Sequence, residues 1–267
     1  IPISMGYAQI AGLPAVYGLY CSILPVLIYG LVTSSPQFVF GVDATPAALV
    51  GGTLATLGIV SGSEEAKAVV PSITLVAALW LLLFFFIKAG RIVNYISTPV
   101  MGGFISGIGV TIILMQTAKL FGGNAGTGEA IQLVMHIAGE FDSFNLLSAV
   151  LGVGTVVIIL VAKKLIPKFP MSVLLMVLGA LATAIFHIDR FGVKLLPHVD
   201  KGLPGFSLPD MSVVLKNPSE IILLGLSVAG VVMAQTLLAT NNYANKYGYK
   251  VSNNREILAY SAANAAS

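Results

Sequence analysis

An all-α, polytopic membrane fold is what this sequence predicts, on three observations. Charged residues fill only 9% of the 267 positions and mean hydropathy is +0.93, whereas a soluble domain carries about 25% charge. Apolar stretches of roughly 20 residues, long enough to cross the hydrocarbon, recur from end to end. One of them is interrupted by a short β-type run, a glycine and an acid. Irregular backbone survives at that depth only where protein covers it or it lines a watery cavity.

Taken in order, residues 1–12 read as the end of a first span, and 14–33 as a second with Pro25 expected to kink it. The interrupted third runs over 38–59: Phe38, Val39 and Phe40 read as a short strand, Gly41 and Asp43 follow, and a half-helix opens at Pro46. Residues 69–87 are a fourth span. The fifth, 98–120, is dense in small residues, and Gly103 with Gly107 makes a spacing that lets helices approach closely. Residues 130–139 are too few to cross and read as an interfacial helix. Residues 146–162, 172–186 and 221–240 are the sixth to eighth spans, with Asn241 and Asn242 as end caps on the eighth. Residue 254 onward opens a ninth. The first residues are already apolar and the last stop inside an apolar run, so the chain is expected to be a piece of a longer protein.

Charge placement sets an expected orientation. With the N-terminal side inside, the inner loops carry Lys88, Arg91, Lys163, Lys164, Lys168, Lys246, Lys250 and Arg255 against one acid, Glu256. That excess of bases favours a cytoplasmic N-terminal side in a multi-pass cell-membrane protein. The one long outer connection runs from His187 to Pro218 and reads as a lid or spacer.

Several classes of chemistry are excluded. A single cysteine, Cys21, makes neither an internal disulfide nor a cysteine metal cluster. His136, His187 and His198 lie far apart with no ligand spacing, and no phosphate-binding glycine loop or nucleophile–base set is visible. No enzyme, cofactor, metal or nucleic-acid partner is therefore expected; the partners are the lipid bilayer and a small solute.

Asp43 carries most of the functional signal. A carboxylate at the start of a broken helix inside a membrane protein is costly and points to function by default. A helix that begins there aims free N–H groups and a positive dipole end at whatever fills the cavity. The opposing reading is equally weighted: Asp near a helix start commonly caps it. Tyr7-Ala8-Gln9 and Ala234-Gln235-Thr236 stand in corresponding places before later spans, a weak sign of the inverted repeats that build paired broken helices in transporters.

Three segments resemble the sulfate permease (SulP) anion-transporter family. They are Ile1-Pro-Ile-Ser-Met-Gly-Tyr-Ala8 with Ala11-Gly-Leu-Pro-Ala-Val-Tyr-Gly-Leu-Tyr20; Pro99-Val-Met-Gly-Gly-Phe-Ile-Ser-Gly107 with Gln116; and Tyr243-Ala-Asn-Lys-Tyr-Gly-Tyr-Lys-Val-Ser-Asn-Asn-Arg-Glu256, continuing to Asn264. The resemblance implies a uracil-permease-like fold of fourteen spans in two inverted repeats of seven. It implies a core domain that moves against a gate as an elevator, a homodimer, and a cytoplasmic STAS domain beyond this chain. Residues 1–88 and 219–267 would be core, 89–187 gate and 188–218 the extracellular connection. The tenth span would lie beyond Ser267.

Carried over position by position, the implied anion site is Tyr7, Asp43, Ala44 and Gln235; Thr45, next in the chain, offers a hydroxyl that either donates to the anion or bonds to its own backbone, the latter being the preferred reading. Two departures stand out. Many relatives have Gly-Pro and then an apolar residue where this chain has Gly41-Val42-Asp43, and many bacterial relatives have a glutamate where this chain has Gln235. An amide cannot take a proton on and off. The coupling carboxylate is therefore expected to have moved to Asp43, with a proton or sodium as the coupling ion. The leading function is secondary transport of a small anion such as sulfate, bicarbonate, a halide or a short dicarboxylate. A nucleobase-type proton symporter and an anion channel are the alternatives.

Overall fold

The computed structural model describes residues 2–95, 98–124, 126, 130–195 and 218–267. They form helices α1 (Pro2–Ile10), α2 (Ala15–Tyr20), α3 (Leu24–Val32), α4 (Ala44–Thr56), α5 (Glu64–Phe86), α6 (Thr98–Leu120), α7 (Ala130–Gly139), α8 (Leu146–Leu165), α9 (Met171–Phe186), α10 (Pro218–Tyr247) and α11 (Asn253–Ala265). Two compact units result: Ile3–Gly109 with Asp200–Ser267, and Val110–Val199.

The first unit is built on α5. Ser63 caps it by accepting from the Ala66 N–H, and Glu64 and Glu65 sit in its first turn, where they complement the positive dipole end. Val69, Ile73, Ala77 and Leu81 then recur every fourth residue as a buried stripe. That stripe receives α10 and α11, while α11 also packs on α3 and α10 on α4. Ala77, Leu81, Ala229, Leu237, Ile257 and Tyr260 are completely enclosed. Lipid tails are as apolar as leucine, so close packing, not escape from water, is what holds such helices together.

In the second unit Asn145 caps α8 by accepting from the Ser148 N–H at 2.8 Å, and its amide donates to the Phe191 carbonyl at 2.7 Å. Phe121 stacks on Phe144, centroids 5.9 Å apart. Large apolar side chains on α8 and α9, among them Leu146, Leu160, Leu181 and Ile185, lie open over these helices. Apolar residues all round a helix suit a lipid surround.

Segments Ala15–Val32, Glu64–Phe86, Leu146–Leu165 and Pro218–Tyr247 are each long and apolar enough to cross a membrane. The chain is a multi-pass, all-helical membrane protein.

Several details differ from the sequence expectations. The second span is broken outright, because Pro25 cannot donate backward and the helix restarts with it in the first turn of α3. The third-span helix begins at Ala44, two residues ahead of Pro46, because Asp43 caps it there; proline is tolerated in a first turn, where N–H groups have no partner anyway. Residues 38–42 lie outside any helix and no strand forms among the described residues, where the run has no partner strand to complete a ladder. Asn241 and Asn242 are not end caps: α10 continues through them, and Asn241 Nδ2 donates to the Leu237 carbonyl and to Asn253 Oδ1. A Cβ built on Gly103 or Gly107 meets nothing within 4 Å among the described residues. Glu256 is not a loop charge; it is completely buried. His198 and most of the connection ahead of Pro218 lie outside the described residues.

Candidate functional site

Helix α4 packs on α10 and meets the end of α1 at Gly51. A Cβ on Gly51 would stand 1.9 Å from the Ile10 carbonyl oxygen, so backbone meets backbone where α4 crosses the end of α1. The turn after α1 has Gly12 at φ +82, a conformation side-chain-bearing residues avoid, and its carbonyl accepts from the Gly62 N–H at 2.8 Å. The loop that leaves α4 is therefore tied back to the loop that leaves α1. This double tie brings Tyr7, midway along α1, within electrostatic reach of Asp43.

Asp43 is extended, with φ −120 and ψ 146, and its Oδ1 accepts from the Ala44 N–H at 2.8 Å. The Thr45 N–H is also directed at the carboxylate, and Pro46 has no N–H. The carboxylate thus occupies the N–H groups that a bound anion would need. Thr45 is buried, 2% exposed, and Ala44 is half-buried. At 13 residues α4 spans about 20 Å, well short of the ~30 Å hydrocarbon, as a half-helix should.

Gln235 lies on α10, the helix that packs on α4. Its Oε1 is enclosed without a hydrogen-bond partner. A buried polar atom left unpaired costs about 1–3 kcal/mol, so it marks a place where a partner is due. No hydrogen bond joins Gln235 to Asp43, Ala44 or Thr45. Asp43, Ala44 and Thr45 thus stand at one helix end, Tyr7 lies within electrostatic reach of Asp43, and Gln235 lies on a helix that packs on α4. A cavity of about 260 Å³ opens elsewhere in this unit, lined by Lys88, Gly90, Arg91, Asn253 and Asn254, and does not touch Asp43.

A second constellation escaped the sequence reading. The Glu256 carboxylate accepts from Tyr29 Oη at 2.7 Å, from Thr33 Oγ1 at 2.9 Å, and from the N–H and hydroxyl of Ser34, each at 2.6 Å. The available signal was periodicity: Glu256, Tyr260 and Ala263 recur at helical spacing and share one enclosed face.

Broken span, half-helix and glycine-mediated crossing are the features of an inverted-repeat transporter fold. Solved structures agree. Murine Solute Carrier 26 family member A9, an anion transporter captured in an inward-facing state, superposes with a TM-score of 0.86 at 21% identity over 98% of this chain and 47% of that one. The transmembrane domain of the cyanobacterial bicarbonate transporter BicA gives 0.80 at 19% identity, over 99% of this chain and 67% of that one. The profile of the sulfate permease family matches residues 1–267, and the chain belongs to that family. A probable sulfate transporter of Mycobacterium tuberculosis is 26% identical over the whole chain, which spans 47% of that relative's length. The family consists of membrane transporters, in keeping with the expectation of no enzyme.

Proposed function

We propose that this chain supplies the first part of a secondary transporter that carries a small anion: sulfate, bicarbonate, a halide or a short dicarboxylate. The observation that carries the reading is the α4 N-terminus, whose N–H groups are held by Asp43 alone, beside Tyr7. Anion and ionised Asp43 compete for the same donors. Protonating Asp43 weakens its hold on the Ala44 and Thr45 N–H groups and removes the like charge, so an anion and a proton arrive together. The protonated acid then offers an O–H, Tyr7 offers its hydroxyl, and a half-turn of the Gln235 amide presents Nε2 in place of the unpartnered Oε1. With no fixed base in the set, binding stays weak enough to reverse.

In this reading residues 1–88 and 219–267 form the moving core of an elevator, 89–187 the gate, and 188–218 an extracellular connection. The protein would sit in the cell membrane with its N-terminal side cytoplasmic and pair as a homodimer. The full-length protein, reconstituted in proteoliposomes, is expected to take up labelled sulfate or bicarbonate faster under an inward proton gradient. Unlabelled anions should compete and uracil should not. Uptake that ignores the gradient removes the proton from the scheme, and competition by uracil alone favours a nucleobase symporter.

A further inference from the structure

The first unit contains a completely buried carboxylate that the transport scheme does not use. Every group facing Glu256 is a donor: the Tyr29 hydroxyl, the Thr33 hydroxyl at 2.9 and 3.0 Å, and the Ser34 N–H and hydroxyl. Ser34 cannot reverse its role easily, because its oxygen already accepts from the Ser252 N–H at 3.0 Å. A carboxylate accepts only, so this all-donor cage fits the ionised form. No cation pairs with Glu256 among the described residues. A buried charge held by neutral donors alone is expensive to dismantle one partner at a time, because each loss leaves the charge less satisfied.

The cage grips the stretch of chain that leads into the broken span. Residues 33–35 turn around Glu256, Arg255 Nε donates to the Val32 carbonyl at 2.7 Å, and Ser35 Oγ meets Tyr249 Oη at 2.9 Å and accepts from the Phe38 N–H at 3.2 Å. The rings then carry the register forward. Tyr29 stacks on Tyr260 with centroids 5.9 Å apart, and Phe40 inserts beside both, at 5.5 Å from Tyr29 and 5.4 Å from Tyr260. Phe38 sits edge-on to Tyr29 at 6.1 Å. Phe40 is three residues from Asp43, a reach of at most roughly 10 Å.

We propose that Glu256 is a positioning residue for the anion site. Its carboxylate holds Tyr29 and the 33–35 turn, the Tyr29 ring holds Phe40, and Phe40 fixes where the extended run delivers Asp43 and the first N–H groups of α4. It touches no substrate. The proposal rests on the anion reading for its functional half, and the test separates the two.

In the full-length protein with Cys21→Ser, a Val42→Cys substitution reports on the extended run through its rate of modification by a charged methanethiosulfonate. Glu256→Gln places an amide N–H₂ among donors, and Tyr29→Phe keeps the ring stack while deleting one hydrogen bond. Both are expected to change the Val42→Cys modification rate several-fold. Without the reporter, both are expected to raise the KM for the transported anion, Glu256→Gln by about tenfold, with the maximal rate little altered. Tyr29→Phe keeps the test decisive where Glu256→Gln does not fold. A maximal rate that falls while KM and the modification rate stay at wild-type values reduces Glu256 to a strut and overturns the proposal. A shifted modification rate in a protein that carries no anion supports the positioning role while sinking the transport reading.

Discussion

A Cβ placed on Gly51 would stand 1.9 Å from the carbonyl oxygen of Ile10, so α1 and α4 touch backbone to backbone. The obstacle is a main-chain atom that no rotamer change can move. Gly51→Ala is therefore expected to destabilise the protein by about 3 kcal/mol or more, seen as a lowered melting temperature in detergent or loss of folded protein. Gly52→Ala is the control. A Cβ there meets nothing within 4 Å, and alanine is the better helix former, so the melting temperature should hold or rise. Equal effects from both substitutions would refute the crossing.

Asp43 has two separable roles, cap and proton carrier. Asparagine caps as well as aspartate but does not titrate. Asp43→Asn is thus expected to keep stability close to wild type while flattening the pH dependence of uptake. Asp43→Ala should lose the cap as well, at about 1 kcal/mol. Melting curves paired with uptake between acid and neutral pH check both. Uptake by Asp43→Asn with wild-type pH dependence would take Asp43 out of the coupling scheme.

Gln235 should trade stability for function. Its Oε1 is buried and unpartnered, so Gln235→Met removes an unsatisfied acceptor and is expected to raise stability by about 1 kcal/mol. The same change removes a ligand for the anion and should weaken its binding by roughly tenfold. Thermal shift without anion and with increasing anion gives both quantities. A variant both less stable and unaltered in affinity would show that the amide serves packing instead.

The Glu140 turn predicts a pH effect away from the membrane spans. Ser143 Oγ donates to its carboxylate at 2.7 Å and the Asn124 N–H at 3.2 Å, which holds the acid below the usual glutamate range, with His136 adding a smaller attraction. A lowered folded value means stabilisation that is complete above the ordinary glutamate range and lost as pH falls through the folded value. Wild type should therefore melt above Glu140→Gln at neutral pH, with the gap closing in acid. A gap that widens in acid would contradict the assignment.

Elements with local signals were legible in the sequence. The third span announced its break because Gly41, Asp43 and Pro46 all bear on backbone shape within a few residues. The short helix over 130–139 was legible as a helix too short to cross. What escaped depends on distant partners. Glu256 reads locally as one more charge beside a basic loop, and donors from Tyr29, Thr33 and Ser34, 222 to 227 positions earlier, make it a core residue. Asn241 reads as a helix stop, yet α10 runs on to Tyr247 and the Asn241 amide bonds to Leu237 and to Asn253 on the next helix. The run over 38–42 has strand-forming residues but no strand to pair with among the described residues. At the site, Asp43 as cap was legible, whereas the pressing of α4 on α1 that brings Tyr7 near it was not.

The central claim is that a small anion rests on the first N–H groups of α4 in place of the Asp43 carboxylate. The most direct measurement is an experimental structure of the full-length protein with selenate, a heavy tetrahedral dianion, located by its anomalous signal at acid pH. The account predicts a peak within hydrogen-bond distance of the Ala44 and Thr45 N–H groups, with Asp43 turned away from Ala44. A peak confined to the cavity beside Lys88 and Arg91, with Asp43 still bonded to Ala44, would contradict it.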